Sequence, residues 1–93
     1  MSAKSERRAA REAAAAYHEA CLAELVGHVG RAIDGFRACE LDAFDADRAL
    51  FQYSRAAKEL WKFCNLIDGE AVARDIADRP PIDWWERGAP KRP

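Results

Sequence analysis

Between Ala46 and Ile67 apolar residues fall at Ala46, Leu50, Tyr53, Ala57, Leu60, Cys64 and Ile67, in alternating steps of four and three. A 3.5-residue rhythm held over this length is the seam of one helix packed along another. Arg48, Gln52, Arg55, Glu59 and Lys62 take the opposite face. Trp61 flanks the seam on one side, and Ala49, Ala56 and Phe63 flank it on the other. This arc is wider than a single neighbour covers, so the helix is expected to be central and contacted from two sides.

A second periodic stretch precedes it. Leu22, Leu25, Val26, Val29, Ile33 and Phe36 recur at helical spacing without an interrupting proline, which predicts a helix from about Ser5 to Ile33. Gly27 and Gly30 soften it, by up to ~1 kcal/mol each relative to alanine, or let another backbone come close. Gly35 is the expected C-cap. Residues 35–42 form the connection, and Asp42 with Asp45 three positions on reads as an N-cap resembling a capping box. Beyond Asp68-Gly69, the stretch from Glu70 to Asp78 predicts a short third helix that ends before Pro80-Pro81. Asp83 is placed to cap a last turn holding Trp84, Trp85 and Glu86. No strand-like alternation of useful length occurs.

The expected fold class is therefore all-α: an antiparallel helical hairpin with a short third helix, pairing into a dimeric helical bundle. A short connection makes consecutive helices antiparallel. With the turn centred near residue 40, facing residue numbers sum to about 80–82. Leu25 then lies near Ala57, Cys21 and Leu22 near Leu60, and Cys64 near Tyr17 and His18. Three segments result: a basic arm over residues 1–11, a helical domain over 12–79, and a Trp- and Pro-containing segment over 80–93. The arm either frays or extends the first helix.

Composition narrows the partners. At 93 residues the chain is one domain with a modest core. Twenty alanines account for much of its apolar content, and alanine buries little area. Net charge is −1, without the basic excess that phosphate binding exploits. Lys4, Arg7, Arg8 and Arg11 make the N-terminus locally basic, while Asp34, Glu40, Asp42, Asp45 and Asp47 make the middle acidic. Nucleic acid is thus an unfavoured partner, reachable only through the basic arm. No apolar run spans a bilayer, and no secretory h-region is present. Three cysteines without a CxxC pair fit a reducing cytoplasm.

The segments RAAKELWKFC (Arg55–Cys64) and PIDWWERG (Pro81–Gly88) resemble stretches of a family of small uncharacterised helical proteins of high-GC bacteria. The resemblance covers about half the chain. It implies an all-helical fold and a bacterial cytosolic setting, and it carries over no activity and no functional residue.

Candidate chemistry is sparse. His18 and Cys21 share a helix face, and the register sets Cys64 opposite them. Soft ligands of this kind suit zinc, though a fourth ligand would have to come from Glu24, His28 or a second subunit. The alternatives are a redox-active Cys21–Cys64 pair, or two buried thiols acting as small hydrophobes. The serines lack a suitably placed base, and Asp42, Asp45 and Asp47 do not follow a calcium-loop order. Trp84 and Trp85 either clamp their own chain or, with Trp61, anchor a partner. The leading expectation is a non-enzymatic protein–protein interaction module presenting an apolar surface, with a protein or a second copy as partner. A small-molecule or zinc-binding helical protein, with its site at His18, Cys21 and Cys64, is the alternative.

Overall fold

The computed structural model describes residues 3–66 and 68–91. These form four helices, α1 (Ala3–Arg37), α2 (Ala43–Asn65), α3 (Gly69–Asp78) and α4 (Trp84–Arg87), with no strand among the described residues. The all-α architecture is as the periodicity predicts. Helix α1 begins earlier and ends later than expected. No glycine or proline precedes Gly27, so nothing interrupts helical hydrogen bonding through the basic segment.

The end of α1 lies past Gly35. Cys39 takes a left-handed φ of 60°. Its N–H donates to the carbonyl of Phe36 at 3.1 Å, and the N–H of Glu40 donates to that of Gly35 at 2.9 Å. These two bonds make a Schellman motif with Cys39 in the position that glycine usually holds. Gly35 instead lies under Leu41, which folds back over the helix: a Cβ there would stand 3.0 Å from Leu41 Cδ1 and would require that side chain to shift slightly. Helix α2 then starts as predicted. The N–H of Asp45 donates to Asp42 Oδ1 at 2.8 Å and the N–H of Asp42 to Asp45 Oδ2 at 3.2 Å. The Asp42 N–H, together with the neighbouring Arg48 guanidinium, holds the Asp45 carboxyl below its usual range.

The hairpin is antiparallel in the expected register, since Tyr17 meets Phe63 with ring centroids 5.9 Å apart. Leu25, Ala56, Leu60 and Trp84 form the buried core, with Tyr17, Cys21, Tyr53, Phe63 and Cys64 packed around it. The seam of α2 departs from the heptad pattern in its first half. Ala46 and Leu60 are buried, but Leu50 is exposed, while Ala56, expected beside the seam, is fully enclosed. The cause is α4, which lies on the Ala56 flank and shifts the buried arc toward itself. Ile67, the last predicted seam position, lies outside the described residues.

Helix α4 is tied down at several points. Asp83 Oδ1 accepts from the Glu86 N–H at 3.1 Å, so the predicted cap is present. Gln52 Nε2 donates to the Trp85 carbonyl at 2.9 Å, and Arg55 Nε to the Gly88 carbonyl at 2.6 Å. Gly88 rests on the α2 backbone, where an added Cβ would come within 2.6 Å of the Ala56 nitrogen. Only glycine permits that approach. Helix α3 runs beside the N-terminal half of α1, with Val72 fully buried.

Candidate functional site

The predicted thiol site resolves into an aromatic packing centre. Tyr17, Cys21 and Cys64 converge where α1, α2 and α4 meet. The Trp84 indole N–H donates to the Tyr17 hydroxyl at 2.8 Å, and Trp84 also packs on Phe63 at 5.3 Å. Burial raises the Tyr17, Cys21 and Cys64 pKa values, and Cys64 reaches about 11. At pH 7 only about one Cys64 thiol in ten thousand is then ionised. The nucleophile is the thiolate, so this environment works against nucleophilic chemistry at Cys64. All three cysteines are free thiols.

His18 and Cys64 border a shallow depression with Arg11, Asn65 and Gly69. Cys21 instead sits beside the Tyr17 hydroxyl. Among the described residues no three His, Cys, Asp or Glu side chains come together to hold a metal ion. Proximity of His18, Cys21 and Cys64 is thus legible from the register, but convergence on one point is not what the backbone delivers.

The three tryptophans separate by role. Trp84 is buried by its own chain, with Arg87 over its ring at 5.6 Å. Trp85 is half-buried and stacks on His28 at 4.3 Å with planes 6° apart. Both act as the intrachain clamp. Trp61 remains 49 % exposed.

Trp61 belongs to a continuous uncovered face. Tyr17 and His28 on α1, and Gln52, Ala56 and Phe63 on α2, mark the flank of the hairpin that meets α4. At 3.6 residues per turn, Leu22, Val26 and Ile33 of α1 and Leu50 and Trp61 of α2 fall on the other flank. No element of the described chain closes it: Val26 is 53 % exposed and Leu50 46 %. Leu22, Val29, Ile33 and Ala57 are half-buried along its floor. The expectation that α2 is contacted from two sides holds, with α1 along its seam and α4 on the Ala56 flank, and the second flank stays open among the described residues. The tethers from Gln52 and Arg55 escaped sequence reasoning, because both residues read as part of the solvent face.

No helix of the described residues is long and apolar enough to cross a membrane. No protein-family model, no curated protein and no solved structure matches the chain.

Proposed function

We propose that the protein is a non-enzymatic interaction module of the bacterial cytoplasm that docks a helical partner on the uncovered face of the α1–α2 hairpin. The observation behind this reading is the unequal treatment of the two flanks. One is sealed by two tryptophans, a close-contact glycine and two side-chain tethers. The other leaves Val26, Leu50 and Trp61 in solvent along roughly three helical turns. Large contiguous apolar patches on a folded chain mark interaction surfaces, and a shallow two-helix groove accepts a third helix through i, i+3/i+4, i+7 anchors. Trp61 is the natural anchor, a large ring at the edge of the groove. The half-buried thiols of Cys21 and Cys64, left unpaired and held protonated, suit a reducing compartment.

Site-specific photo-crosslinking in the cells that make the protein tests this. A photoreactive residue at Val26 or Ser54 should yield protein adducts, and the same residue at Arg74 on α3 should not. Adducts from all three positions alike, or from none, overturn the reading.

A further inference from the structure

The uncovered face is bordered by four charges. Glu19 and Arg37 edge it on α1, Asp47 and Lys58 on α2, and all four are exposed. The intrachain ion pairs among the described residues lie elsewhere, at Asp45–Arg48, Glu59–Lys62 and Asp75–Arg79. The positions of the four are not arbitrary. Glu19 and Arg37 are equidistant from residue 28, and Asp47 and Lys58 are centred between Gln52 and Tyr53. In the hairpin register set by Tyr17 against Phe63, those two midpoints stand at the same level. Nothing within one chain requires that coincidence.

It has a direct consequence for self-association. A two-fold axis crossing the face at that level lays α1 antiparallel on α1 and α2 antiparallel on α2. Glu19 then meets Arg37 of the second copy and Asp47 meets Lys58 of the second copy, each pair occurring twice. The alternative, with both turns at one end, stacks α1 on α2 at the intrachain register. It opposes Glu19 to Trp61, Lys58 to Leu22, Asp47 to Ile33 and Arg37 to Ala43, so every rim charge faces an apolar residue. Complementary rim charges fix orientation and suppress wrong registers.

We infer that the occupant of the face is a second copy of this chain, docked with its turn at the opposite end to form an antiparallel four-helix bundle. This rests on the docking reading above and names its partner. Sedimentation equilibrium of the full chain is expected to show a monomer–dimer equilibrium. Glu19→Arg and Arg37→Glu should each weaken the dimer about tenfold, a change of ~1.4 kcal/mol, by turning two attractive contacts repulsive. The double variant E19R/R37E should return to within about twofold of the parent, while far-ultraviolet circular dichroism stays helical in all three. A strict monomer at about 100 μM overturns the proposal. So does a dimer whose two charge effects simply add. Crosslinked adducts at Val26 in an otherwise monomeric protein would sink self-association alone, whereas absence of any adduct would sink the docking reading as well.

Discussion

The two ends of the hairpin are built from similar helices and are packed very differently. Near the turn, the buried positions are Ala32 and Ala46, and Phe36, Leu41, Phe44, Leu50 and Phe51 are all exposed. Toward the other end, Leu25, Ala56, Leu60, Val72 and Trp84 are buried, because α3 and α4 add a further layer there. An alanine at position 56 is more completely enclosed than a leucine at position 50. Burial here follows from how many elements surround a position rather than from how apolar its side chain is. A two-helix layer cannot bury large residues on both flanks. The turn end therefore keeps alanines at its contact and leaves its larger groups exposed.

That contrast can be broken most decisively at Trp84. Trp84→Ala removes the ring that joins α4 to Tyr17 and Phe63, and should cost ~3–5 kcal/mol in urea denaturation. A loss below about 1 kcal/mol would show that α4 is not part of the cooperative core. Next, Leu60→Ala should cost ~2–5 kcal/mol, while Leu50→Ala should cost under about 1 kcal/mol when measured at low protein concentration. Equal losses at the two leucines would erase the distinction between the ends.

At the turn itself the expected effects are smaller and opposite in sign. Asp42→Ala deletes half of the capping box and should destabilise by about 1 kcal/mol. Cys39→Gly relieves the left-handed strain at the end of α1 and should stabilise by ~1 kcal/mol. A destabilised glycine variant would mean that the Cys39 thiol makes a contribution of its own. A further effect is alkaline. An unfolded Cys64 ionises near 9.0 and the folded one at about 11, so across that interval the native state holds a proton that the unfolded state has lost. Stability should fall as pH rises from 9 toward 11, with no pH dependence from this group below 9. The difference between the parent and Cys64→Ala should shrink over the same interval, as read from the thermal midpoint.

Much of this architecture is local in origin. The heptad spacing of α2, the Asp42 and Asp83 caps, the breaks at Asp68 and Pro80 and the shortness of the connection follow from backbone propensities acting within a few residues. They determine an antiparallel helical hairpin and its register, because a short turn allows no other pairing. The flank on which α4 lands is a tertiary outcome. It depends on Gly88 fitting flat against Ala56 and on Gln52 and Arg55 reaching across some thirty positions of chain. No periodicity in α2 distinguishes the Ala56 side from the Trp61 side, since both are apolar. Choosing between them takes a neighbour with a shape, which is why the face left open at Val26, Leu50 and Trp61 emerges only once the helices are assembled.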